Sequence, residues 1–168
     1  MVTPYTYFAL LTLHVLGIVV WIGGSFFVYA ALPAPAAEIL QPAQRLALWQ
    51  ATFKRFFPWV WVSVAAVFIS GEWLAHGWLD GLNAPLYIHV MFGIGVLLML
   101  LFGHIYFSPY RRMRQALAAG DEAEALRRLK QIRMFLGLIG VVGLLVVIIG
   151  VSGPMLMDQP LVLDPLAK

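Results

Sequence analysis

Cysteine is absent from this 168-residue chain, and charge is scarce. Without thiols there can be neither a disulfide staple nor a thiolate metal site. Charged residues make up 11% of the chain, far below the roughly one quarter usual in soluble domains. Internal repeats and low-complexity segments are also missing. The few basic residues are not interleaved with aromatics and form no recognition motif, which argues against nucleic acid as a partner.

What is there is apolar bulk. Hydrophobic residues make up 62% of the chain and the mean hydropathy is +0.87. The apolar residues fall into four long runs, at about 4–32, 56–78, 86–107 and 134–157. Roughly 20 apolar residues rising about 1.5 Å each cross about 30 Å of hydrocarbon, so the runs are read as transmembrane helices. The expected fold is an all-α integral membrane protein, one domain over residues 1–168, built as a four-helix bundle.

Charge sets the expected topology. Ten of the eleven Lys and Arg residues lie between runs one and two (Arg45, Lys54, Arg55) or between runs three and four (Arg111, Arg112, Arg114, Arg127, Arg128, Lys130, Arg133). Basic loops stay in the cytosol. Segments 33–55 and 108–133 are therefore expected to be cytoplasmic and both termini outside (N-out, C-out). The net charge of +3 and a pI near 9.5 come from these loops and suit anionic lipid headgroups. The first run is read as a retained span, not a cleaved leader: no Lys or Arg precedes it and it outruns the usual apolar region of a signal peptide.

Punctuation along the chain supports this division. Pro33-Ala34-Pro35 closes the first run, and Pro42 opens a short helix with Trp49 and Phe53 on one side, leading into the second. Trp73 and Trp78 are read as interface anchors, and Gly77, Asp80, Gly81, Asn83 and Pro85 as an outer turn. The third helix is expected to stop before Ser108-Pro109. Asp121, with Glu124 three residues on, reads as an N-cap leading into the fourth helix, on which Gly137, Gly140, Gly143 and Gly150 offer a close-packing face.

Polar groups at membrane depth are expensive to bury, so they are the functional candidates. Counting about 1.5 Å per residue from mid-span brings His14, Glu72 and His89 to a common depth in the outer half. His76 lies four residues beyond Glu72 on the same helix face. His104 sits at the opposite end of the third helix. A single intramembrane His is often bonded only to a carbonyl; several at one depth make a site the stronger reading. Gly17, Trp21 and Gly24 near His14, and Gly93 one turn below His89, could leave room for a flat macrocycle, although close helix packing explains such glycines equally well.

Two chemistries stay open. Imidazoles of His14 and His89 facing each other could hold haem b axially. The same nitrogens, with the carboxylate of Glu72 and His76, could bind copper or zinc, and the thioethers of Met155 and Met157 suit Cu(I). His104, near Arg111 and Arg112, is a candidate second site with Met134 the one evident co-ligand. No residue is assigned a catalytic role.

The segment His14-Val-Leu-Gly-Ile-Val-Val-Trp21-Ile-Gly23-Gly24 resembles the first helix of the copper resistance protein D (CopD) family, with its His, Trp and Gly-Gly. It is also similar to the HemJ-type protoporphyrinogen oxidases, to which His89 and His104-Ile-Tyr106 with Arg111-Arg112 would correspond. This chain has Val90-Met91 where those oxidases have a Lys, and Ser25-Phe26-Phe27-Val28-Tyr29 where they have Tyr-Leu-Pro-Arg. The CopD resemblance implies copper homeostasis at a bacterial inner membrane, and the second likeness implies a haem b oxidoreductase. The expected partners are the lipid bilayer, a periplasmic metal- or electron-carrier protein and further copies of the chain.

Overall fold

The computed structural model describes residues 3–79 and 81–157, with the side chains of Trp78, Leu156 and Met157 excepted. The anchor Trp78, the turn residue Asp80, the thioether of Met157 and the terminal Lys168 thus lie outside the described part. Among the described residues every regular element is helical, and four helices are long and apolar enough to cross a membrane.

The first spans Pro4–Ala30. Pro4 opens it with the Thr3 side chain accepting from the Thr6 N–H at 3.3 Å, as expected of an N-cap ahead of a proline at N1. A π turn interrupts it at Val19–Gly23. A short helix, Pro33–Ile39, leads to the second long helix, Pro42–Trp78, which Gln41 and Gln44 start as a reciprocal capping pair. The third runs over Leu86–Ala118 and the fourth over Glu122–Met157. Much of 33–55 and 108–133 is therefore helix: the short helix expected from Pro42 is continuous with the second span, and the stretch capped by Asp121 with the fourth.

Ser108-Pro109 does not end the third helix. Its backbone passes through a π turn at Tyr106–Tyr110 and resumes as regular helix at Arg111–Ala118. Proline lacks the N–H that the regular ladder needs, and the i→i+5 register of a π turn absorbs that loss without breaking the rod. The break comes at Gly120, whose φ of +74° suits a residue without a Cβ. There the Asp121 N–H reaches the Ala116 carbonyl at 2.9 Å and the Gly120 N–H reaches Leu117 at 3.2 Å, a Schellman closure. Asp121 Oδ1 then caps the next helix through the Glu124 N–H at 2.9 Å.

The first half of the first span packs on the second helix and its second half on the fourth, while the third helix packs mainly on the fourth. Glycines make the fourth helix the hub. A Cβ at Gly140 would meet the Phe26 backbone at 3.3 Å, and those at Gly137 and Gly143 would collide with Tyr29 and Ile22. Small residues permit this approach in a bilayer, where helices gain little from hiding apolar surface from water.

The densest packing lies at the basic end. Phe53, Phe57 and Phe102 are fully buried there with Met113, Ile132 and Leu136. Phe57 stacks on Phe53 at 5.0 Å and meets Tyr110 and Phe102 edge-on at 4.8 and 5.4 Å. Arg133 lies over the Trp49 ring at 5.4 Å.

Candidate functional site

The opposite end of the bundle, which carries no Lys or Arg among the described residues, holds a largely apolar cavity of about 360 Å³ bounded by all four long helices. Its polar lining is sparse: His14, Trp21 and Tyr7 from the first helix, Glu72 from the second, and Tyr87 from the third. Two thioethers, Met91 and Met99, join them.

His14 is held by the helix it faces. Its Nδ1 lies 3.0 Å from the Val67 carbonyl oxygen and 3.0 Å from Ser70 Oγ. The Ser70 hydroxyl donates to the Ala66 carbonyl at 2.5 Å. A carbonyl can only accept, so Nδ1 carries a proton, and in the neutral ring Nε2 is the nitrogen with the lone pair. That tautomer is the one a metal-binding imidazole needs, with the far nitrogen tied to a backbone acceptor.

Two glycines allow this reach. A Cβ at Gly17 would lie 2.7 Å from Val67 Cγ2 and 3.1 Å from the Ser63 carbonyl, so the first two helices nearly touch one turn past His14. A Cβ at Gly71 would lie 3.0 Å from His14 Cε1. Gly71 therefore seats the ring, a role visible only once helix phases are known. Gly17 and Gly24 thus serve packing and do not open a slot for a macrocycle, since the Phe56 ring fills the space a Gly24 side chain would take.

Trp21 sits on the π turn, 2% exposed, and lines the cavity; among the described residues its indole N–H has no acceptor. A buried donor without a partner costs about 1–3 kcal/mol. Met91 and Met99, spaced eight residues apart, share the inward face of the third helix with Tyr87 and Leu98. The thioether of Met91 rests on Gly150, where a Cβ would come 3.2 Å from Sδ.

The other candidates are dispersed. His89 is exposed and does not line the cavity; its Nδ1 bonds the Pro85 carbonyl of its own helix at 3.3 Å. Gly93, with nothing within 4 Å of a Cβ built on it, lies on the same outward side. His14 and His89 therefore do not face one another, and the paired imidazoles that would hold haem are not assembled. His76 is exposed, with Nδ1 3.1 Å from the Glu72 carbonyl and 3.3 Å from Glu72 Oε2. His104 is exposed, its ring edge-on to Phe135 at 5.7 Å, and Met134 beside it is 58% exposed. Met155 is 75% exposed. Among the described residues no three His, Asp or Glu side chains come together as a metal site. The donors that line the cavity are one imidazole and two thioethers, with one carboxylate.

Residues 50–152 match the family described as Copper resistance protein D. The chain belongs to that family. The match covers more than half of the sequence, from within the second helix to near the end of the fourth. It takes in Glu72, Met91 and Met99; His14 and Trp21 precede it. No curated protein and no solved structure matches the chain. Family and helices together make this a multi-pass membrane protein of a copper-resistance family.

Proposed function

We propose that this CopD-family protein handles Cu(I) as cargo, taking it into the cavity at the end of the bundle away from the basic residues. His14 Nε2 and the thioethers of Met91 and Met99, the last two about 12 Å apart along their helix, are the donors that meet the ion along the cavity, and Glu72 sits in the same lining as the charge-compensating group. The observation that carries this reading is the His14 ring, tied through Nδ1 to the Val67 carbonyl and set in a cavity that also holds two thioethers. Soft thioethers favour Cu(I) over Zn²⁺, Mg²⁺ or Ca²⁺, and an imidazole complements them. The Trp21 N–H is the group available to an anionic or neutral co-ligand that accompanies the metal.

Orientation follows the charge rule. The basic end faces the cytoplasm and the cavity end the periplasm of a bacterial inner membrane, so copper would enter from outside. The test is a Cu(I) titration of the purified full chain against a competing chelator. Wild type should bind one ion, and His14→Ala should weaken it by at least about 100-fold, the upper range for disturbing even the support of a ligand. Helicity should be unchanged. Equal affinity in His14→Ala would overturn the assignment.

A further inference from the structure

A second cavity lies at the basic end, independent of the copper reading, and its chemistry differs. About 230 Å³ in volume, it opens between the second helix and the π turn of the third. Its lining includes Lys54 and Arg114, the phenols Tyr106 and Tyr110, the amide of Gln50, and no carboxylate. The back wall is the aromatic stack, with Phe57 4.8 Å from Tyr110 and Tyr106 5.7 Å from it. Arg114 lies with its guanidinium carbon 5.8 Å from the Tyr110 ring centroid, which limits the orientations of its fork.

We propose that this cleft is a binding site for a phosphate group at the membrane surface, held between Lys54 and Arg114 with hydrogen bonds from the tyrosines and Gln50. Each part has a reason. Two cations converging on one opening with no acid among them repel each other and are relieved by an anion. Arginine on an aromatic face offers a bidentate fork suited to phosphate oxygens, and Lys adds a point charge. Basic pockets between transmembrane helices on the cytoplasmic side suit anionic headgroups. Tyr106, Tyr110 and Arg114 follow one another at four-residue intervals and so share one face of the third helix, the face that lines the cleft. Arg111 and Arg112 are equally basic and exposed but do not line the cleft, so they separate a site from a diffuse positive surface.

The test uses the detergent-solubilised full chain and native mass spectrometry with short-chain phosphatidylglycerol, against phosphatidylcholine of the same chain length. Wild type and the Arg111→Gln, Arg112→Gln double variant should retain phosphatidylglycerol in preference to phosphatidylcholine. The Lys54→Gln, Arg114→Gln double variant should bind it at least about tenfold more weakly, as expected for losing hydrogen bonds to a charged group. Far-ultraviolet helicity and the midpoint of unfolding in a denaturing detergent serve as controls that the variant is folded. Competition with inorganic phosphate then distinguishes the source. Displacement means that free phosphate fills the same cleft, and no displacement means that the glycerol diester is required; either outcome supports a phosphate site. Unchanged retention in the Lys54, Arg114 variant would overturn the proposal, and so would an equal loss in both variants.

Discussion

The two ends of the bundle are built on opposite principles. At the basic end Phe53, Phe57 and Phe102 are fully buried, rings touch rings, and the groups with charge lie around that core. At the other end the helices stand around a cavity with His14, Glu72 and two methionines in its walls. Both ends are apolar by composition, so hydrophobicity does not separate them. Packing does. In a bilayer, dispersion and close fit hold helices together because lipid tails hide apolar surface as well as protein does. Tight aromatic packing at one end thus leaves the other free to keep a cavity, whose missing contacts cost stability.

Removing a ring from the dense end should have the largest effect on folding. Phe57→Ala takes out a side chain that contacts Phe53, Phe102, Tyr106 and Tyr110. It should cost about 3–5 kcal/mol, read as a lower midpoint on unfolding in a denaturing detergent. Under native conditions Cu(I) affinity should stay within about twofold, since separated sites act independently. A variant that stays folded but loses copper would show that the ends are coupled, and the contrast drawn here would fail.

A volume-conserving change at the open end should do the reverse. Met91→Leu with Met99→Leu keeps the apolar bulk and removes only sulfur, so stability should fall by less than about 1.5 kcal/mol. Cu(I) affinity should drop by about tenfold or more, equivalent to about 1.4 kcal/mol. Chelator competition measures this directly. If affinity holds, the thioethers are cavity wall and the donors lie elsewhere.

The two ends also differ in how far the sequence revealed them. Apolar runs and their charge partition are properties of composition, so the four spans could be read without knowing any contact. The glycines of the fourth helix marked a packing face because only a missing Cβ permits that approach. His14 was found through its depth and the motif around it. Depth, however, comes from counting residues, and it says nothing about which way a helix is turned. The phase of the third helix is set by its packing on the fourth, where Tyr87 fits against Gly153 and Met91 against Gly150. That rotation puts Met91 and Met99 inside and His89 outside. The signal for the methionines was present as an eight-residue spacing in line with Tyr87, but methionine on an apolar helix face usually means packing. Pro109 misled for a related reason: proline argues for a helix end from local chemistry, whereas here the i→i+5 register of the π turn takes up its missing N–H and the helix continues.

The smallest expected effect bears most directly on that rotation. His89→Ala removes a ring that is exposed, bonds only the Pro85 carbonyl of its own helix among the described contacts, and stands outside the cavity lining. Stability should change by no more than about 0.5 kcal/mol, as for other surface positions. Cu(I) affinity should move by about twofold at most, the equivalent of the same free energy. His14→Ala sits at the same estimated depth and should be severe, so the pair of variants compares two imidazoles that differ mainly in the face of the bundle they occupy. If His89→Ala weakens copper binding as strongly as His14→Ala, the third helix must present its histidine to the site when metal binds. The open end would then be a moving assembly in which helix rotation exchanges thioether for imidazole ligands.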